Sequence, residues 1–157
     1  MSNDIPSASD HHDLVADDLI RRPVFFRSGA EVLAGDLVLP ATPGPHPAIL
    51  TVAGTGPQNR YGDVVLADGT VLPHGRYVQI SHRLAQAGIA SLYWDKRGVG
   101  QSSGGEREPG DPPGERDAYT SVMSDVQDAE SALNFLAEQP EIDSRRIAVM
   151  GRSAGVY

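Results

Sequence analysis

The stretch Arg146-Ile147-Ala148-Val149-Met150-Gly151-Arg152-Ser153-Ala154-Gly155 drives an apolar, β-type run into Gly-x-Ser-x-Gly. This is the sequence form of a nucleophile elbow, in which a strand turns sharply into a helix and lifts a serine hydroxyl off the sheet edge. The serine backbone is expected to be strained. Gly151 and Gly155, two residues to either side, are expected to be small so that strand and helix can pass closely.

Working outward from Ser153, the preceding segment carries Val122, Val126, Ala129, Leu133 and Leu136 at i, i+4, i+7, i+11 and i+14, an amphipathic helix. Asp125, Asp128 and Glu130 load its early half with acid, which suits the positive end of the helix dipole. Residues 103–117 are crowded with Gly, Pro, Glu and Asp and read as a loop. Before them, residues 89–94 form a strand running into Asp95-Lys96-Arg97-Gly98-Val99-Gly100-Gln101-Ser102. Tyr77, Ile80, Leu84 and Ala87 recur at helical spacing, with Gly88 where a C-terminal cap belongs. His82 falls about 140° from Tyr77 on that helix, which makes it a solvated residue facing away from the apolar stripe.

Residues 48–53 are a nearly continuous apolar run, suited to a strand buried on both faces, and they end at Gly54-Thr55-Gly56-Pro57. Asp68-Gly69 between apolar arms signals a small hairpin. Residues 24–27 and 32–40 flank a short glycine-containing turn and read as an antiparallel hairpin. His46, between two prolines, reads as an exposed loop residue. Residues 1–22 are expected to be a polar tail, with one helical turn around Leu14, Val15, Leu19 and Ile20. The adjacent His11 and His12 read there as a solvated pair.

Strand, helix, strand, helix, strand in this rhythm predicts an α/β fold, a mostly parallel sheet behind an N-terminal antiparallel hairpin. Ligand sites in such sheets lie at the carboxyl ends of the strands. Gly54-Thr55-Gly56, Asp95-Lys96-Arg97 and Gly151 to Gly155 are therefore expected to converge on one rim.

Bulk properties narrow the function. The 157 residues, 39% hydrophobic and 22% charged, suit one soluble globular domain. A formal net charge of −8 argues against nucleic acid or an anionic membrane as partner. The absence of cysteine excludes disulfides, thiolate zinc sites and cysteine nucleophiles, and no His-Glu-x-x-His spacing occurs, so neither a metal nor another cofactor is expected. No signal-like or membrane-spanning segment is visible, which makes a cytoplasmic location the expectation. Gly98-Val99-Gly100 lacks the third glycine of a dinucleotide-binding turn and enters a Gly/Pro-rich loop instead of a helix.

The order of motifs resembles the α/β-hydrolase superfamily, and within it bacterial serine esterases of the dienelactone hydrolase and prolyl-oligopeptidase-like branch. The resemblance covers roughly residues 23–155. That branch reads Gly-Ser-Gly-Pro-x-Asp-Arg-Asp-Gly at its oxyanion loop, where this chain has Gly54-Thr55-Gly56-Pro57-Gln58-Asn59-Arg60-Tyr61-Gly62, so Asn59 and Tyr61 depart from acidic positions. The resemblance implies a serine hydrolase of small-molecule carboxylic esters. Ser153 would be its nucleophile, and the backbone N–H groups of Thr55 and Ala154 its oxyanion hole. Asp95 and Arg97 would be a structural pair bracing the loop after their strand. The implied order is Ser, then Asp or Glu, then His. Only Ala154, Gly155, Val156 and Tyr157 follow Ser153 here, so residues 23–157 are expected to be an incomplete hydrolase domain, inactive alone. None of His46, His74 or His82 is expected to substitute as the base. The competing expectations are a non-catalytic α/β fragment or binding module, and a peptidase of the same superfamily.

Overall fold

The computed structural model describes residues 19–66, 68–104 and 122–156. The sequence-predicted loop at 103–117 and the His11–His12 pair fall largely or wholly outside these residues. Seven strands and two α-helices follow in the order β1 (Leu19–Ser28), β2 (Glu31–Pro40), β3 (His46–Val52), β4 (Val64–Val65), β5 (Val71–Leu72), α1 (Arg76–Gln86), β6 (Ala90–Trp94), α2 (Val122–Ala137) and β7 (Ile142–Gly151). A 3₁₀ turn, Ser153–Val156, follows β7.

The main sheet runs β1-β2-β6-β3-β7, while β4 and β5 pair with each other in a small separate ribbon. β1 to β2 and β2 to β6 are antiparallel; β6 to β3 and β3 to β7 are parallel. The sheet begins earlier than the sequence reading places it, because Leu19 to Arg22 already pair with Pro40 to Leu37. Leu19 and Ile20 are therefore strand residues and not part of a helical turn. β2 and β6 are buried along almost their whole length, whereas β3, the apolar run expected to be buried on both faces, leaves Ile49 and Val52 only half-buried. β1 alternates instead, burying Val24 and Phe26 and exposing Phe25.

One face of the sheet packs on α2 through Leu33, Leu37, Leu50, Leu92, Ala132 and Leu136. Phe26 stacks on Phe135 at 5.4 Å between ring centroids and meets Trp94 edge-on at 6.3 Å. α1 covers the other face and buries Tyr77, Val78, Ser81 and Ala85, a stripe rotated from the expected one. Ile80 and Leu84 lie only half-buried on its flank, and His82 is half-buried too instead of fully solvated. On α2 the expected stripe is likewise only half used. Leu136 is buried, but Val122 and Val126 are exposed and line, with Leu50, Val52, Leu133 and Val149, an apolar groove of about 320 Å³.

His46 corrects the sequence reading outright. It is buried, not exposed, because β3 starts there. Its N–H donates to the Glu141 carbonyl at 2.8 Å, and its Nε2 sits 3.0 Å from the Thr42 carbonyl oxygen.

Tyr93 on β6 stacks on Tyr77 at 5.2 Å and is almost wholly buried. Burial pushes its phenol up to about 12, with the neighbouring Thr51 and Ser91 hydroxyls acting the other way. A raised phenol pKa means that the neutral form is favoured in the fold. The stabilisation is present below about pH 10 and is lost as pH rises toward about 12, at most about 2–3 kcal/mol. The urea midpoint is expected to fall across that window, and less steeply in Tyr93→Phe. An equal fall in both proteins would place the alkaline loss elsewhere.

Candidate active site

The carboxyl ends of β3, β6 and β7 meet on one rim, as the alternating pattern predicts. Register brings the first pair together: Thr51 lies opposite Met150, and Val52 opposite Gly151. The ladder continues one step further, with the Arg152 N–H donating to the Val52 carbonyl at 3.2 Å. The chain then reverses into its 3₁₀ turn, closed by the Gly155 N–H on the Arg152 carbonyl at 2.9 Å.

Ser153 sits at the corner, exposed, with φ +53°. It is the one non-glycine residue with positive φ among the described residues. Such a conformation costs an L-residue roughly 1–2 kcal/mol, so it persists only where the surroundings enforce it. Two glycines do so. A Cβ on Gly54 would stand 2.8 Å from the Arg152 carbonyl oxygen and 3.0 Å from Ser153 Cβ. A Cβ on Gly155 would stand 2.6 Å from the Val52 carbonyl oxygen and 2.9 Å from that of Ala53. Backbone approaches backbone on both sides of the serine, and only glycine fits either place. Gly151 is the last residue of β7, in register with Val52.

The loop after β3 is pinned from below. Gln58, buried, donates from Nε2 to the Thr55 carbonyl at 2.8 Å, and its Oε1 accepts from the Tyr77 hydroxyl at 3.3 Å. Tyr77 also lies beside the Arg152 guanidinium. Burial raises its pKa, and Arg152 opposes the rise. The N–H of Thr55 meets no acceptor among the described residues. Asn59 Oδ1 accepts from the Tyr61 and Asp63 N–H groups, both at 3.0 Å, so an amide serves the turn where the resemblance has a carboxylate. Asp63 Oδ1 in turn accepts from the His74 and Gly75 N–H groups at the entrance to α1.

Arg60 holds the loop to the sheet. Its side chain is buried and donates to Asp95 Oδ2 at 2.6 Å, to Asp36 Oδ1 at 3.1 Å, to the Gly35 carbonyl at 3.1 Å and to Gln101 Oε1 at 3.0 Å. Burial acts to lower its pKa, and the bonds and charges of Asp95 and Asp36 more than offset this, leaving it above the ordinary arginine value. Asp95 Oδ1 also accepts from the Arg60 N–H at 2.7 Å, and Oδ2 from the Gln101 N–H at 3.0 Å.

Asp95 thus braces its loop, but its cationic partner is Arg60 and not Arg97. The chain leaves β6 at Trp94 and turns over residues 96–99, with the Val99 N–H on the Lys96 carbonyl, and this sends the two side chains apart. Arg97 reaches α2, donating to Asp128 at 2.8–3.0 Å and to Gln127 at 3.0 Å. Asp128 raises the Arg97 pKa mainly through these bonds. Arg60, Gln58 and Lys96 are the residues that motif reading passed over. Arg60 coincides with the arginine of the oxyanion loop that the resemblance quotes, whereas Gln58 falls on that loop's variable position and Lys96 is marked only by its place at a strand end.

His46 stands at the opposite end of β3 from Gly54, which removes it from the rim. Among the described residues no cluster of His, Asp and Glu side chains could hold a metal ion, and no helix is long and apolar enough to cross a membrane.

The sheet order, its N-terminal antiparallel strands and the glycine-bounded serine corner define an α/β hydrolase. More narrowly, the model of the family described as serine aminopeptidase, S33, matches residues 58–157, and the chain belongs to that family. Esterase EstD of Thermotoga maritima is 28% identical over 123 residues, covering 78% of this chain and 25% of that protein. The chain therefore spans about a quarter of that relative's length. Acetyl xylan esterase 1 from a Thermoanaerobacterium species superposes with a TM-score of 0.66 at 19% identity, over 91% of this chain and 43% of the other. A dienelactone hydrolase-like promiscuous phosphotriesterase, P91, from metagenomic libraries gives 0.61 at 22% identity, over 88% and 51%.

Proposed function

We propose that the chain carries the nucleophile and oxyanion half of a serine hydrolase acting on small-molecule carboxylic esters. The observation that carries this reading is Ser153 at φ +53°, exposed, and wedged between Gly54 and Gly155. Esterase EstD supports the choice of ester by its name and its 28% identity.

In this reading Ser153 Oγ attacks the ester carbonyl carbon, its proton passes to a general base, and the alcohol leaves with an acyl-enzyme behind it. The oxygen that gains negative charge sits between the N–H groups of Thr55 and Ala154. Preorganised donors at such a point each contribute about 3–4 kcal/mol to the transition state. The base and its orienting acid are not assigned to any described residue. Arg60 and Asp95 hold the Thr55 loop, and Arg97 and Asp128 hold the turn after β6 to α2.

With a general base in reach of Ser153, a fluorophosphonate probe is expected to label it in the folded protein, and Ser153→Ala to remove the label entirely. Folded protein that stays unlabelled although a base is in reach would favour a non-catalytic α/β module. The family's description favours a second reading, cleavage of peptides. Parallel assays with a short acyl ester and an aminoacyl amide separate the two. Faster amide turnover would replace the ester assignment. The net charge of −8 supports a reading with neither nucleic acid nor an anionic membrane as partner, and the proposed setting is cytoplasmic.

A further inference from the structure

The peptide between Gly54 and Thr55 is held from one side by a buried ammonium. Lys96, just past the end of β6, is 8% exposed. Its Nζ donates to the Gly54 carbonyl oxygen at 3.3 Å and to Asp125 Oδ2 on α2 at 3.4 Å. The Lys96 backbone is fixed too, its N–H donating to the Gln58 carbonyl at 3.2 Å and its carbonyl accepting from the Val99 N–H at 2.9 Å. A trans peptide is planar, with its C=O and N–H pointing in opposite directions. An ammonium anchored on the Gly54 oxygen therefore sets the direction of the Thr55 N–H, away from Lys96. That N–H meets no acceptor among the described residues, and Gly54 itself lies against Ser153.

We propose that Lys96 is a positioning residue that orients and polarises the Gly54–Thr55 peptide, making the Thr55 N–H a stronger donor toward the space beside Ser153. The catalytic consequence rests on the serine hydrolase reading; the geometry does not. Hydrogen bonds from an ionised donor are roughly twice as strong as neutral ones, and in a low-dielectric site they polarise the next bond in the chain. Lysine suits the place because a compact ammonium with three donors can serve a carbonyl and a carboxylate at once. A lysine that merely tied the loop to α2 would affect stability and leave the Thr55 N–H unchanged.

Glycine labelled at its carbonyl carbon and threonine labelled with ¹⁵N together report only two peptides in this sequence, Gly54–Thr55 and Gly69–Thr70. In Lys96→Met the Gly54 carbonyl carbon and the Thr55 amide proton are expected to move upfield. Gly69–Thr70 stays in place as the internal reference, and Lys96→Arg shifts the first pair less. Fluorophosphonate labelling of Ser153 is expected to slow about tenfold in Lys96→Met, short of the about 10²–10³ that loss of a whole donor costs, with most of the rate restored by arginine. Unmoved Gly54 and Thr55 signals overturn the proposal whatever the labelling does. Moved signals with an unchanged labelling rate overturn it as well. Moved signals in a protein whose unaltered form does not label leave Lys96 as the holder of the peptide and remove the hydrolase reading of Ser153. Should Lys96→Met fail to fold, Lys96→Gln and Asp125→Asn supply the same comparison, and signals unmoved in both overturn the proposal.

Discussion

Replacing Arg60 with methionine is expected to cost about 3–5 kcal/mol of folding stability, the effect of breaking a buried ion pair by removing one partner. The reason lies in what stays behind. Asp95 and Asp36 are 2% and 6% exposed, and each would keep a carboxylate in a place that water barely reaches. Asp36 would retain Arg21 at 3.8 Å, while Asp95 would retain only backbone donors. Against a total of about 5–15 kcal/mol for a typical domain, this is a large share. Urea unfolding followed by circular dichroism reads it directly. A loss under about 1 kcal/mol would mean that water reaches the network and the loop is not clamped.

Gly54→Ala is expected to act on reactivity more than on stability. The new methyl would meet the Arg152 carbonyl oxygen at 2.8 Å, a backbone atom that cannot swing aside, so the elbow must shift. Crowding of this kind costs about 1–3 kcal/mol, whereas a displacement of about 1 Å at a reacting group can cost about 10²-fold in rate. Fluorophosphonate labelling of Ser153 is therefore expected to slow by about 10²-fold while the protein remains folded. Gly69→Ala is the control, because Gly69 has φ +87° but nothing within 4 Å of the added methyl. It carries a left-handed backbone strain that Gly54 does not have, and none of the crowding, so it reports what destabilisation alone does, and labelling should not change. Equal slowing in both variants would trace the effect to general loosening of the fold.

The parts of the rim legible in the sequence are those written in local chemistry. Gly54-Thr55-Gly56, Asp95-Lys96-Arg97 and Gly151 to Gly155 each follow an apolar run, and a strand that stops at small residues shows itself within a few positions. The partners of Asp95 were not legible, because nothing near residue 95 indicates that residue 60 will arrive beneath it. Arg97, only two positions away, reaches Asp128 on α2 instead. His46 failed for the same reason. Two flanking prolines argue locally for an exposed loop, and the partners that make His46 the start of a strand, Glu141 and Ile142, lie almost a hundred positions along the chain. Helical periodicity located α1 and α2 but not the width of the face each buries, since that depends on which strands lie beneath.

β3 makes the rim, and it is also the strand whose neighbours come from furthest along the chain. Ala48 pairs with Ala90 on one side and with Ile147 on the other, the second contact closing a loop of about a hundred residues. Contacts of such separation form late and slowly, after the local hairpin of β1 and β2. The corner at Ser153 has no existence before that last pairing, since its strain is enforced by Gly54 and Val52 across the seam. During refolding, the return of probe labelling should therefore lag the return of strand signal. A reactive serine here is a late product of folding, not a property of a partly formed sheet.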